Sequence, residues 1–493
     1  MDETVPLLRD EALEVPIKAA STDPNIVDFD PKGDSENPRD WPITYKWGIV
    51  SLLAFMSFTV TFTCISVVPI ANGMIADLNG GKSQKSASVL LVTIWELGEA
   101  AGPLLIAPLS EVVGRYPVMN ACNLLFIVAI ALAGVSQSVP LLIGARALTG
   151  LAVASNVLNP AIVGDIFTEE HRGSAMSLIM LAPLTGGAVG PAISGAIAQD
   201  SGWRKVLLMC GVLAGFAELL FLLLFKETYK VPILRRRVDR LRKETGNHAL
   251  RTSFDAQDEG NANQFRDSIL RPLLVFWDSS ILQAISLFGS LLFTYFYILT
   301  TTLPDVLIGI YGLSPAMTGV AFISFSIGSA GSIIVMNLTL DRIFIKLRKG
   351  NKGVGLPEYR LPLAILGAFT MPFLVMAFGW IAEYRLPLPI LLIDLALIGN
   401  TTMFGFLPVT AYVVDASKLY AASAMTALIV TRCLMGTFLP LTTAPLVRQF
   451  GFGYAFTLLG GASLVLAPIP VFIFKYGAKW RQSSKYTADD ADE

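Results

Sequence analysis

Stretches of about twenty residues almost free of charge recur along this chain, and few features leave a polypeptide so little choice of fold. Hydrocarbon offers no water to satisfy backbone N–H and C=O groups, so segments of that length and apolarity cross a bilayer as α-helices. Reading for such runs predicts spans at residues 47–70, 87–109, 118–138, 140–163, 174–199, 205–225, 281–303, 316–339, 362–383, 388–409, 420–446 and 453–474. Charged residues make up 15% of the 493, against about 25% in a soluble domain, and the mean hydropathy is +0.60. Both exclude an ordinary soluble domain. The expectation is an all-α membrane protein with twelve transmembrane helices.

The twelve runs fall into two matched sets. Gly164-Asp165 is followed by Ser174-Ala175-Met176 at the head of an apolar run; roughly 250 residues later Val414-Asp415 is followed by Ser423-Ala424-Met425 at the head of another. Each of these later runs carries a Pro deep inside it, Pro191 and Pro440. Duplicated helices with matched loops and prolines predict two pseudo-symmetric six-helix bundles that rock about a central site.

Lys and Arg set the orientation. The segment after the sixth run holds Lys226, Lys230, Arg235, Arg236, Arg237, Arg240, Arg242 and Lys243, and the loop after the eighth holds Arg342, Lys346, Arg348, Lys349 and Lys352. The positive-inside rule makes both cytoplasmic and puts both termini inside. The predicted organisation is a disordered cytoplasmic tail (residues 1–46), an N-terminal bundle (47–225), a basic cytoplasmic linker (226–280), a C-terminal bundle (281–474) and a cytoplasmic tail (475–493). Residues 1–46 are polar and acidic, unlike a cleavable signal peptide, so the first span is expected to serve as its own insertion signal. Trp41 and Trp47 suit an interfacial anchor. Val231 to Glu244 reads as a basic amphipathic helix, stopped by Gly246, that lays a positive surface on anionic lipid. Glu3-Thr4-Val5-Pro6-Leu7-Leu8 fits an acidic dileucine sorting signal, which keeps a vacuolar or endosomal membrane as the alternative to the plasma membrane.

Chemistry of other kinds finds no footing. Cys64, Cys122, Cys210 and Cys433 fall inside predicted spans without paired spacing, so no metal site or disulfide framework is expected. His171 and His248 read as solvated loop residues, and no Gly-x-x-x-x-Gly-Lys-Ser/Thr loop for nucleotide phosphates occurs. The chain is not expected to be an enzyme, to use a cofactor or to bind nucleic acid.

Between the second and third runs lies Pro108-Leu109-Ser110-Glu111-Val112-Val113-Gly114-Arg115-Tyr116-Pro117. Gly114 gives a tight turn its backbone freedom, and Glu111 and Arg115 sit where a carboxylate and a guanidinium bridge facing helix ends. This segment resembles the loop signature of the major facilitator superfamily, and its Pro-Leu-Ser-Glu form is similar to the fungal twelve-helix drug/proton antiporters. Asn337 to Asp341-Arg342 resembles the degenerate second-half copy. Glu36-Asn37-Pro38 with Trp41-Pro42, Arg146 to Gly150, Gly186-Gly187-Ala188-Val189-Gly190-Pro191 with Gly195, Pro357 to Pro362 and Asp415 to Arg432 are similar to further family patterns in the expected order. The chain departs from the family after Trp203-Arg204, where Lys205 stands in place of an aromatic. The resemblance implies the major facilitator fold and a proton-coupled efflux pump, an antiporter for hydrophobic small molecules such as a fungal secondary metabolite, toxin or drug. A monomer in the plasma membrane is expected.

The fifth-run glycines, Gly186, Gly187, Gly190 and Gly195, remove side chains where a neighbouring helix approaches, and Pro191 removes a backbone donor and bends the span. The antiporter resemblance makes that run a hinge; the plainer reading is an ordinary small-residue contact. Intramembrane charge is the sharper clue. Glu96 and Glu99 lie mid-span three residues apart, on one helical face, where a carboxyl pair out of water can hold and release a proton. The alternative is a permanently protonated packing pair. Arg146, in the fourth run, is the expected countercharge, and the resemblance makes it the group that couples protonation to helix movement. Arg432 is expected to balance a carboxylate or helix end of the second half, while Glu218 and Asp394 are lesser proton-carrier candidates whose plainer reading is that each faces a polar gap near the interface. Trp95, Phe293, Tyr295, Phe296, Tyr297, Met403, Phe404 and Phe406, with Asn400, Thr401 and Thr402, supply a lining for a bulky apolar ligand; Trp95, Tyr297, Asn400 and Phe404 are the cavity candidates. A nutrient, polyamine or sugar importer on the same frame is the competing reading, weakened for sugars by Lys226-Glu227-Thr228-Tyr229-Lys230 after the sixth run.

Overall fold

Twelve crossings can be traced among the described residues. The computed structural model describes residues 25–30, 33–252, 254, 261–484, 486 and 487. Nine helices cross once each: the first span Ile43–Ile65, the second Lys85–Val113, the third Arg115–Gly134, the fifth Glu169–Ser201, the sixth Trp203–Leu224, the seventh Ser280–Gly309, the eighth Pro315–Gly350, the ninth Pro362–Glu383 and the tenth Leu388–Ser417. The apolar run Ala421–Arg481, 61 residues long, crosses twice. Its eleventh span (Ala421–Phe438) turns through a 3-10 segment, Leu439–Thr442, around Pro440, and the chain reverses at Gly451, where φ is 76° and only glycine is at ease. The twelfth span ends as Ile469–Arg481.

The fourth span is broken. It consists of Val139–Leu151 and Ser155–Ile166 with residues 152–154 between them. Sequence periodicity gives no sign of this, because Ala152-Val153-Ala154 holds neither Gly nor Pro. Other differences are of length. The fifth and eighth helices run past the predicted 174–199 and 316–339, since hydropathy marks only the part in hydrocarbon while backbone hydrogen bonds carry a helix on into the aqueous boundary. Gly202, at φ 83°, joins the fifth span to the sixth with no intervening loop.

Each set of six helices packs as a bundle, and two helix pairs join the bundles: the fifth with the eighth and the second with the eleventh. Exchanging the halves maps one pair onto the other, which is the pseudo-symmetry expected of a duplicated chain. The fifth–eighth contact is backbone against backbone. A Cβ on Gly319 would collide with the carbonyl of Pro191, and one on Gly195 with the carbonyl of Pro315. This contact sits at the end of the bundles remote from the chain's termini, and so do Lys85 Nζ with Asp305 Oδ2 at 2.5 Å and Asn72 Nδ2 with Asp305 Oδ1 at 3.1 Å. The far side is therefore held shut between the halves.

The linker reads differently from expectation. Lys230–Thr245 is a helix ended by Gly246 in the left-handed region, φ 69°. Its apolar residues Val231, Leu234 and Val238 are buried against the protein and are not available to lipid. Two of its arginines are taken by the N-terminal arm, Arg237 by Asp34 and Arg240 by Glu36 at 2.6 Å. Ile26 and Val27 pair in parallel with Arg251 and Thr252. Residues 25–30 and 33–40, expected as disordered tail, are thus clasped onto the linker, because carboxylates among them match its guanidinium groups. The Glu3 to Leu8 motif and the acidic end at 488–493 lie outside the described residues. A second linker helix, Asn261–Asp278, packs against the second and eleventh spans before Ser279 caps the seventh.

Candidate functional site

Glu96 and Glu99 point off the second span into the seam between the bundles, where each is nearly inaccessible at 1% and 4% exposure. The partners that meet them come from the other half. Tyr297 of the seventh span donates its hydroxyl to Glu96 Oε1 at 2.6 Å, and Arg432 of the eleventh donates Nη2 to Glu99 Oε1 at 2.9 Å. Arg432 Nε lies 4.0 Å from Glu96 Oε2, and its guanidinium stacks 4.4 Å from the Phe293 ring. Two acids of one bundle are thus bound by a phenol and a guanidinium of the other, across 201 and 333 residues of chain.

A cavity of about 260 Å³ opens beside this group. Its walls are Trp95, Phe293, Phe296, Tyr297, Phe322 and Phe325, with Met403, Pro183 and Leu184; among the described residues hydroxyls come only from Thr61, Ser326, Thr402 and Tyr297. The arrangement holds a flat or bulky apolar molecule by stacking and places the acids and Arg432 at its edge. Glu96, Glu99 and Cys433 bring ligand atoms within 4.8 Å of one another, but Arg432 already places a full positive charge against Glu99, which repels a metal ion.

Several expectations change. Arg146 is buried at 1% exposure and donates Nη2 to the Cys64 carbonyl at 3.0 Å; its Nε has no hydrogen-bond partner among the described residues. It braces the first span and does not pair with the acids. The countercharge is Arg432, which balances first-half carboxylates and not a second-half group. Of the four cavity candidates, Trp95 and Tyr297 stand in the wall of this cavity and Asn400 and Phe404 do not. Asn400 turns to the eighth span, its Nδ2 3.4 Å from the Gly328 carbonyl, and Thr402 and Met403 take the inward positions. A shift of two residues rotates a helix by about 200°, so composition alone cannot choose the inward face. Phe406 stands behind the lining, with its ring 5.2 Å from Phe293. The first-span contribution, Thr61, Cys64 and Ile65, carries no sequence signal that separates it from core.

Of the fifth-span glycines, Gly186 and Gly190 let the first span approach, with Cβ positions 2.7 Å from the Phe58 carbonyl and 2.9 Å from the Phe62 carbonyl. Gly187 faces the cavity, and Gly195 and Pro191 form the far-side contact with the eighth span.

At the termini side each bundle carries its own charge network. Gly114, φ 113°, turns the chain so that the amides of Arg115 and Tyr116 donate to Glu227 Oε1 and Oε2 at 2.9 and 3.1 Å. The Glu227 carboxylate sits where a Cβ on Gly114 would lie. Arg115 Nη1 donates to Ser110 Oγ at 2.5 Å and Nε to Asp165 Oδ2 at 3.4 Å. Glu111 is exposed. In the second half Asp341 accepts from Arg360 at 2.7 Å and Asp415 from the same guanidinium at 3.0 Å, while Arg342 is exposed. Arg481 Nε donates to Glu358 Oε1 at 2.8 Å. Of the five loop residues the sequence offers, Gly114, Arg115 and Asp341 sit in these networks and Glu111 and Arg342 are exposed, while Glu227 and Arg360 stood in the quoted stretches without an assigned role. Asp165 and Asp415 were visible in the repeat, but their partners come from loops whose spacing predicts nothing. Asp394 is buried with Oδ2 unpartnered among the described residues, and Glu218 accepts from Asn123.

This architecture matches known proteins. Residues 50–440 match the family model described as Major Facilitator Superfamily. The chain is 32% identical over 471 residues to "Efflux pump radE" of Floropilus chiversii, covering 95% of this chain and 87% of that one. It is 32% identical over 465 residues to "MFS-type transporter penM" of Penicillium rubens, covering 94% and 91%. A crystal structure of the D-xylose-proton symporter superposes with a TM-score of 0.63 at 15% identity, over 88% of this chain and 98% of that one, a likeness of fold. Twelve helices in two pseudo-symmetric bundles, joined by reciprocal glycine contacts and matching the family model over most of their length, place this chain in the Major Facilitator Superfamily.

Proposed function

We propose that this chain is a proton-coupled efflux pump that exports hydrophobic small molecules by alternating access. The observation that carries the reading is the contact of Glu96 and Glu99 with Tyr297 and Arg432 across the seam, at the edge of an aromatic cavity. Neutralising either acid changes how strongly one half holds Arg432 of the other, so proton uptake biases the equilibrium between the two tilts of the bundles. A substrate stacked on Phe293 and Arg432 competes for the same contact. Proton and substrate then displace one another, which is the linkage an antiporter needs. Proton flow runs from the outer water onto a carboxylate, releasing substrate outward, and from that carboxylate to the cytoplasm.

The Lys/Arg-rich segments at the termini side support a cytoplasmic placement of that side and of both termini. With that placement, the far-side contacts favour reading this form as the one that faces the cytoplasm, ready to load. The termini-side networks around Arg115 and Arg360 act within each bundle as the conformational switch, and the fifth-span glycines serve as the hinge. The pump acts as a monomer in the plasma membrane. The radE relative's printed name supports the export direction, and the scarcity of hydroxyls in the cavity argues against a sugar importer. Reconstituted protein should accumulate lipophilic fluorescent probes in vesicles only when a pH gradient is imposed. Accumulation indifferent to the gradient and to the Glu96→Gln, Glu99→Gln double change would overturn the reading.

A further inference from the structure

The sixth span brings into the N-terminal bundle an acid that the central site does not use. Glu218 is 3% exposed. Asn123 of the third span donates Nδ2 to its Oε2 at 2.6 Å, and its Oε1 has no hydrogen-bond partner among the described residues. Asn123 and Ala217, the neighbour of Glu218 on the sixth span, also line a cavity of about 20 Å³ whose polar side chains are Thr59, Asn123 and Ser155, set among apolar ones such as Met56, Val60 and Phe126. That is room for one water molecule. Ser155, at 5% exposure, lines this cavity with its Oγ likewise unpartnered. The amide that bonds Glu218 and the unpartnered Ser155 hydroxyl thus line one water-sized space at the break in the fourth span, where the helical hydrogen-bond ladder is already open.

A carboxylate in so apolar a setting must find a cation or keep its proton. No cation faces Glu218; Asn123 is its one hydrogen-bonding side chain among the described residues. The titratable groups on the packed helices make no bond to it. On the third span these are Arg115, Tyr116 and Cys122, with Tyr116 stacked 6.2 Å from Phe221, and on the first span Tyr45, Lys46 and Cys64, with Tyr45 bonding the Leu224 carbonyl at 2.8 Å. The fifth span carries ionisable residues only near its ends, and Cys210 lies two turns away on the same helix.

We propose that Glu218, held by Asn123 beside the Ser155–Asn123 cavity, is a second proton-binding site of this transporter, loaded separately from Glu96 and Glu99. A proton taken from water binds the Glu218 carboxylate and returns to water on release; no other bond changes. The break at this cavity separates the half of the fourth span carrying Arg146 from the half carrying Asp165, so titration there reaches both the helix that braces the cavity and the termini-side network. The inference rests on the proton-coupled reading for its role in transport, but not for its chemistry.

Infrared difference spectra of the full-length protein, recorded while pH is varied across the neutral range, test the chemistry directly. In the Glu96→Gln, Glu99→Gln background a protonated-carboxyl band should still titrate, and Glu218→Gln should remove it. A Ser155→Ala change, which keeps the acid and strips the cavity of a polar contact, should move that band's midpoint without abolishing it. In vesicles the proton count per probe transported should fall by one in Glu218→Gln. A band unaffected by both changes overturns the proposal, even where Glu218→Gln fails to fold, because Ser155→Ala still reports. Wild-type transport without pH dependence would refute the export mechanism and leave the infrared result to decide this site.

Discussion

Arg432 is the residue on which the two halves disagree least. Its side chain is 12% exposed, it binds Glu99 directly, and Phe293 covers its face. Removing one member of a buried charged pair leaves the other uncompensated, a loss of about 3–5 kcal/mol. Arg432→Ala is therefore expected to lower thermal stability in detergent and to abolish gradient-driven transport, whereas the Arg432→Ala, Glu99→Gln pair should recover much of the stability but none of the coupling. Tyr297→Phe tests the neighbouring bond. Loss of a hydrogen bond to a charged acceptor costs about 1.5–3 kcal/mol, so the pH dependence of transport should shift while probe affinity stays close to wild type. Equal losses of binding and coupling would instead make Tyr297 a substrate contact only. Glu96 and Glu99 were legible from sequence because charge in a span is conspicuous. Their partner was not, because an arginine 333 residues away is brought to Glu99 only by the docking of two bundles.

Between elements, the fifth and eighth helices meet without side chains. A methyl group at Gly319 would press on the Pro191 carbonyl, and backbone cannot yield as a flexible side chain does. Overpacking of this kind costs about 1–3 kcal/mol, so Gly319→Ala should shift the population toward the form open on the far side by roughly 5- to 150-fold. Distances between spin labels placed on the far ends of the fifth and eighth spans should lengthen; unchanged distances would show that the glycine is merely tolerated. The arm–linker clasp is a different kind of contact. Burial works against the charge of Asp34, but the hydrogen bond from Arg237 and the amides of Glu36 and Asp30 more than offset it and hold its carboxyl below the usual value. Because the folded pKa lies below the unfolded one, the clasp is at full strength above the ordinary carboxylate range and is lost as pH falls through it. Protease cleavage within residues 33–42 should thus rise in acid, and Asp34→Asn should produce the same cleavage at neutral pH. The sequence located both partners by sign of charge, yet assigned the basic helix to lipid, since amphipathicity does not say what an apolar face will pack on.

For the whole molecule, the balance between the two tilts depends on contacts of unequal strength. Lys85 and Asp305 are 19% and 33% exposed at the far side, and pairs so open to water contribute about 1 kcal/mol or less and fade with salt. Asp305→Asn should accordingly change the far-side label distances only slightly at low ionic strength and not at all at high, in contrast to Gly319→Ala, which salt should leave untouched. A large, salt-independent effect of Asp305→Asn would mean that the pair is the main far-side lock. Taken as a sequence, the chain determined that it spans a membrane twelve times in two related halves, because charge-free runs of that length have one solution in hydrocarbon and a duplication repeats it. It also marked the acids and the glycine run, whose residue types are costly or unusual where they stand. Which arginine meets the acids, which face of the tenth span lines the cavity, where the fourth span breaks and what covers the linker were decided only by tertiary packing. Each depends on a helix rotation or an approach between distant segments, and neither composition nor spacing encodes those.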